Sequence, residues 1–299
     1  MSLLLKIQRY GFIGSVGKVW NMLRRKSDTV YWRWIYRDAP VYANPTSIEL
    51  EAIERDLVKL GVSIHSYTPP HEFKEFQKQN WFPTDYHGGL KSGVWDEKLL
   101  EHWISSETLE LMNFNESDIY VDVAAASSPW AKVLRERRGL SAFAIDLEEK
   151  EAFCHLPYYR VENATKTTFS DACVRGMSLH CAYEMFMGQD DTLFISEAAR
   201  ILKPGGKVVI LPFYTPTHYC AYATPDYFDK GYSDLAAKEY IRWDSRGIPS
   251  SRKYDAVMLK RRVLDHIELL GMQYKLFALR NKAELGNNIY CHFILEITR

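Results

Sequence analysis

The chain predicts an α/β fold: a mostly parallel sheet with helices between its strands and an antiparallel pair at its end. Three observations carry this. From Ile119 to Asp146 an apolar strand, a tight turn, a basic helix stopping at Gly139 and a second strand ending on an acid follow one another. Ile201 to Pro212 repeats the theme as a Lys-Pro-Gly-Gly-Lys turn and an apolar run. The last two strand patterns, Gln273–Leu279 and Asn288–Ile297, are joined by residues 280–286, a link short enough for an antiparallel pair.

Before that core lies an N-terminal extension, residues 1–94. Its first 26 residues form a basic arm in which Lys6, Arg9, Lys18, Arg24, Arg25 and Lys26 are interleaved with leucines and Trp20. Lys6 and Arg9 interrupt the apolar run a secretory leader needs, so two readings stay open: a peripheral membrane anchor, or a helix packed on the domain. Thr46 to Gly61 predicts a helix with Ser47 as N-cap and Leu50, Ile53, Leu57 and Leu60 on one face. Trp81 to Gly89 is a loop rich in rings and turn residues, and Trp95 starts a helix reaching about Leu111. Residues 95–299 form the main domain. Within it, 214–251 is polar, aromatic and interrupted by Pro216, Pro225 and Pro249, as expected of a lid or substrate insertion. A helix over 254–270 should bury Val257, Met258, Leu264, Ile267 and Leu270.

Composition narrows the partners. Lys plus Arg and Asp plus Glu are equal at 38 each in 299 residues, which gives no electrostatic footprint for nucleic acid. The five cysteines contain no C-x-x-C pair and read as free thiols of a reducing, cytoplasmic compartment. Neighbours on a strand face opposite ways, so His180–Cys181 and Cys291–His292 do not read as metal sites.

The site signals cluster in the core. Ser128 and Pro129 suit N-cap and N1 of the first helix, whose positive end would face an anionic ligand group. Asp122 sits near the carboxyl end of a strand that should be buried, so its carboxylate needs a partner: amides of the next turn, or a ligand amine. Asp146 comes 22 residues after Ala124, the spacing of an acid that accepts ribose hydroxyls. A fourth strand over about 172–178 would bring His180 to the sheet's carboxyl edge. Glu184, four residues on, would share a helical face with it, and His87 in the Tyr-His-Gly-Gly loop is the rival base.

These stretches resemble the class I S-adenosylmethionine-dependent methyltransferases. Val121-Asp-Val-Ala-Ala-Ala-Ser-Ser-Pro129 is similar to that family's first motif, Phe143-Ala-Ile-Asp146 to its second, and residues 162–171 to the stretch along adenine. Residues 178–184 are similar to the fourth-strand exit, and Glu197 to Lys207 is the most specific match. The family's usual glycines are replaced by Ala124, Ala126 and Ser128. An alanine adds a methyl that is tolerated while φ stays negative.

The resemblance implies a Rossmann-like, mostly parallel seven-stranded sheet with an antiparallel C-terminal strand. It implies S-adenosylmethionine as cofactor: Asp122 and the turn Ala124, Ala125, Ala126 and Ser127 on its methionine moiety, Asp146 on the ribose, and Leu147, Asn163 and Ala164 around adenine. His180 and Glu184 would face the transferring methyl. The expected activity is methylation, at oxygen, of a small molecule or glycan such as a unit of a surface polysaccharide. Two alternatives stay open: a silent methyltransferase-like interaction module, and a nicotinamide oxidoreductase, against which the missing G-x-G-x-x-G and the closing strand pair argue.

Overall fold

A computed structural model describes residues 28–299. The basic arm, with its membrane-anchor reading, lies outside the described residues. One sheet of eight strands dominates, in the order β1-β10-β11-β6-β5-β2-β3-β4. These are β1 (Ile64–Tyr67), β2 (Ile119–Val123), β3 (Ser141–Asp146), β4 (Tyr159–Val161), β5 (Val174–His180), β6 (Leu202–Phe213), β10 (Gln273–Leu279) and β11 (Phe293–Thr298). Every neighbouring pair is parallel except those made by β11, which runs against both β10 and β6. The expected sheet therefore gains an eighth strand, β1, added beside β10 by the N-terminal stretch.

Central position follows from composition. Tyr120 to Val123 are all buried, as a strand covered by helices on both faces must be. From β2 the chain moves outward through β3 to β4, then returns to place β5 on the other side of β2. That reversal opens a crevice at the carboxyl ends of β2 and β5, where ligands of open α/β sheets bind. Strand β5 begins two residues later than expected and includes His180, because Ala172 sits at φ +51° and cannot continue a strand.

Helix α1 (Ser47–Lys59) is capped by Thr46, not Ser47: the Thr46 hydroxyl accepts from Glu49 N–H while the Glu49 carboxylate accepts from Thr46 N–H. Helix α2 (Glu72–Lys78) and helix α3 (Trp95–Thr108) follow. Helix α4 (Trp130–Arg138) starts after Pro129 as cap, one residue later than expected, and ends at Gly139 at φ +67°. Helix α5 (Asp190–Ile201) leads into β6.

Residues 214–251, expected to be irregular, contribute most of a second, three-stranded sheet in the order β8-β7-β9. Its strands are β7 (Cys220–Ala223), β8 (Lys238–Ile241) and β9 (Ser251–Lys253). Residues 256–269 are helical, but the Leu259–Leu264 turn is π-helical. The wider turn rotates the inward face onto Leu259, Val263, Leu264 and Ile267, and leaves Val257 exposed.

Candidate cofactor and acceptor site

The crevice holds a cavity of about 480 Å³. Its walls come from the turn Ala124–Ser128 after β2, from Asp122, from His180 and Cys181 at the end of β5, from Lys98 and Glu101 on α3, and from Tyr86 and His87. A smaller space of about 60 Å³ adjoins it, lined by Ala125, Ala126 and Asp146 and walled farther out by Phe153 and Tyr159. Sequence-expected Asp122, Asp146, His180, His87 and the alanine turn are thus brought together. Leu147 (68% exposed), Asn163 and Ala164 line neither cavity. The Asn163 Oδ1 instead accepts from Thr165 N–H at 2.9 Å, closing a local turn.

Asp122 is 1% exposed, yet only one of its oxygens is used. His180 Nδ1–H donates to Oδ1 at 3.3 Å, and Oδ2 has no partner. Asp122 lines the cavity, and a buried carboxylate with one oxygen lacking a partner suits a ligand cation such as an ammonium. Asp146 braces the turn: Oδ2 accepts from Ala126 N–H at 2.7 Å and Oδ1 from Glu148 N–H at 3.0 Å. Each oxygen keeps a second lone pair for a ligand hydroxyl. The residues present therefore fit S-adenosylmethionine, Asp122 offering a carboxylate to an amine and Asp146 acceptor oxygens to hydroxyls. The alanines do not keep negative φ: Ala124 lies at +51° and Ala126 at +48°. The turn holds the left-handed shape that glycine would take freely, and the Asp146 bond helps hold it.

His180 differs from expectation in its partners. Its Nε2 lies 3.1 Å from Ser105 Oγ, so both ring nitrogens are engaged within the protein. Glu184 does not share its face. The chain turns at Cys181 (φ +51°) into a short 3-10 turn, Tyr183–Met185, and carries Glu184 away to a buried ion pair with Lys253 at 3.9 Å. The same turn aims Cys181 into the cavity alongside His180, contrary to strand alternation. His87 makes no hydrogen bond among the described residues and faces the cavity from its rim. Desolvation, with Lys98 second, lowers its imidazole below the ordinary 6.5. Its loop is anchored: Phe82 stacks on Tyr86, His102 and Trp130, and the Tyr86 hydroxyl lies 2.8 Å from His102 Nε2. His87 itself sits at φ +47°, and Gly89 could bear no side chain, since a Cβ would come 2.3 Å from Thr84 O.

Sequence reasoning missed the polar floor. Lys98 Nζ bonds both Glu101 oxygens at 2.8 and 2.9 Å and lies 2.9 Å from Cys181 Sγ. Burial, then Glu101, pushes the Cys181 thiol up to about 12. The signal was present in α3: Glu97, Lys98, Glu101, His102 and Ser105 recur three and four residues apart, a polar stripe that is buried.

Residues 121–210 match the family described as "Methyltransferase domain". Solved structures of similar shape include the Burkholderia thailandensis 1,6-didemethyltoxoflavin-N1-methyltransferase with bound 1,6-didemethyltoxoflavin and S-adenosylhomocysteine (12% identity, 87% of this chain and 93% of that chain, TM-score 0.46). Geranyl diphosphate C-methyltransferase from Streptomyces coelicolor is another (14% identity, 91% and 96% covered, TM-score 0.43). A third is a SAM-dependent methyltransferase from Methanosarcina mazei (13% identity, 64% and 96% covered, TM-score 0.40). A search of curated proteins returns no match.

Proposed function

Residues 121–210 being a class I S-adenosylmethionine-dependent methyltransferase domain, we propose that the chain methylates a hydroxyl of a small acceptor, with Asp122 holding the cofactor and His87 taking the acceptor's proton. When bound, S-adenosylmethionine supplies a methyl on a sulfonium sulfur, and its transfer to oxygen forms a C–O bond as the C–S bond breaks with its electron pair on sulfur. The observation that carries the reading is the unpartnered, buried Asp122 Oδ2 on the wall of a cavity that also presents an unbonded imidazole at His87. An alcohol acceptor needs a base within reach, and an imidazole lowered below 6.5 is deprotonated at neutral pH. His180 is assigned the work of orienting Asp122, since neither of its nitrogens is open. Glu184 is assigned no part in transfer.

A glycan acceptor, including a unit of a surface polysaccharide, is the wider form of this proposal. Peripheral membrane association of the basic arm is a separate proposal. Liposome sedimentation of the chain with and without residues 1–26 tests it, and equal sedimentation overturns it.

The central test is calorimetry with S-adenosylhomocysteine. The expected result is binding by the unaltered chain and, for Asp122→Asn, a loss of about tenfold to hundredfold, the value of one charge-assisted hydrogen bond. No binding at millimolar ligand would overturn the reading in favour of a silent module.

A further inference from the structure

A second cavity, of about 280 Å³, lies one side chain away from the first. The divider is Tyr214, just past β6, and Tyr290, just before β11. Both rings line the second cavity, while both hydroxyls lie 3.5 Å from Cys181 Sγ on the wall of the first. Tyr290 also donates to Glu101 Oε1 at 3.3 Å. The two rings are nearly parallel, at 16°, with centroids 6.4 Å apart. The pair presents near-parallel aromatic surface to the second cavity, against which a planar ring can pack.

The second cavity also holds polar groups short of partners. Thr215 is 4% exposed, and its Oγ1 has no hydrogen bond. Lys282 lines the same space, with no hydrogen bond or ion pair to any described residue. The nearby charges are otherwise taken up. Glu54 is held by Arg280 through two bonds of 2.8 Å and by His292 Nε2 at 2.8 Å. Glu97 accepts from the N–H groups of Tyr290 and Cys291 at 3.0 and 3.1 Å. His292, lowered to about 4 by burial and then by Lys282, is neutral at neutral pH. Phe213, Phe293 and Ile289 supply the apolar side. The cavity therefore combines apolar and aromatic walls with an unpaired ammonium and an unused hydroxyl, and its two tyrosines reach to Cys181 on the wall of the first cavity.

We propose that this cavity binds the methyl acceptor, and that the acceptor is a hydroxy-aromatic acid. Its ring packs against Tyr214 and Tyr290, its carboxylate lies on Lys282 and Thr215, and its hydroxyl points past Cys181 into the first cavity, which His87 also lines. The assignment of the hydroxyl end rests on reading the first cavity as the cofactor site; the anion site at Lys282 does not.

Calorimetry on the full chain with 4-hydroxybenzoate and its uncharged counterpart 4-hydroxybenzamide, each with and without saturating S-adenosylhomocysteine, tests this. The acid is expected to bind about tenfold or more tightly than the amide. Lys282→Met should abolish the preference, Thr215→Val should weaken the acid severalfold, and neither should alter S-adenosylhomocysteine affinity. Should Lys282→Met fail to fold by thermal melting, Thr215→Val alone carries the comparison. Equal affinity for acid and amide, no binding of the acid at millimolar concentration, or an unchanged preference in the variant that folds overturns the proposal. If S-adenosylhomocysteine does not bind while the Lys282-dependent preference persists, the cofactor reading falls and the anion site stands.

Discussion

Ala124 and Ala126 stand at φ +51° and +48° in the turn that lines the first cavity. A non-glycine residue in this region costs about 1–2 kcal/mol, and glycine gives back about 0.5–1 kcal/mol in chain entropy. Ala126→Gly is therefore expected to leave stability unchanged or raise it by up to about 1.5 kcal/mol. Urea unfolding checks this, and a clear loss would mean that the methyl packs usefully. The second expectation at this scale concerns His87. Replacing it with alanine should lower kcat by about 10²–10⁴ and spare S-adenosylhomocysteine binding. Its folded value lies below 6.5, so the active, neutral form is lost only as pH falls beneath that value. The profile of kcat/KM should thus show an acid limb below 6.5 that is absent in His87→Ala. A limb that survives the substitution would assign the base elsewhere, His180 being the next to test.

Helix α3 floors the first cavity and holds the Tyr290–Cys291 backbone beside the second. One stripe of it carries Lys98 and Glu101 into the floor, Ser105 to His180, and Glu97 to the amides before β11. Lys98 and Glu101 have side chains 9% and 0% exposed, so each depends on the other for neutralisation. Lys98→Met leaves the Glu101 carboxylate buried with only Tyr290 and Cys181 as donors, and should cost about 3–5 kcal/mol. Adding Glu101→Leu removes the stranded charge and should restore a large part of that loss. Denaturant titration of the single and double variants decides it; equal losses would show that the pair is held by packing rather than by charge.

At the scale of the molecule, a buried carboxylate at the start of α5 ties the small sheet to the core. Asp191, 0% exposed at the start of α5, takes Arg252 Nη1 at 2.7 Å, Arg262 Nε at 2.6 Å and the Tyr254 hydroxyl at 2.6 Å. Arg252 reaches on to Asp234 at 3.1 Å, within the 214–251 stretch. Asp191→Asn leaves two guanidinium groups short of a counter-charge and should cost about 3–5 kcal/mol. The damage should centre on the attachment of the small sheet, so limited proteolysis is expected to cut first within 224–250. Cleavage spread evenly over the chain would mean that the cluster stabilises the core as a whole.

The α/β class, the strand–turn–helix after Asp122, the acid at Asp146 and the closing antiparallel pair were legible in the chain itself, because each rests on local periodicity and turn chemistry. His180 was legible as a residue at the sheet edge, but its partners were not. Asp122 and Ser105 come from elements 58 and 75 residues away, and only the parallel pairing of β2 with β5 and the packing of α3 bring them together. Glu184 misled for the same reason: four-residue spacing implies a shared face only while a helix continues, and the left-handed Cys181 ends that continuity. Lys98, Glu101, Tyr214, Tyr290 and Lys282 meet across three separate stretches of chain. No spacing records such a meeting. Long-range packing decided it, and with it which buried charges are paired and which are left open to a ligand.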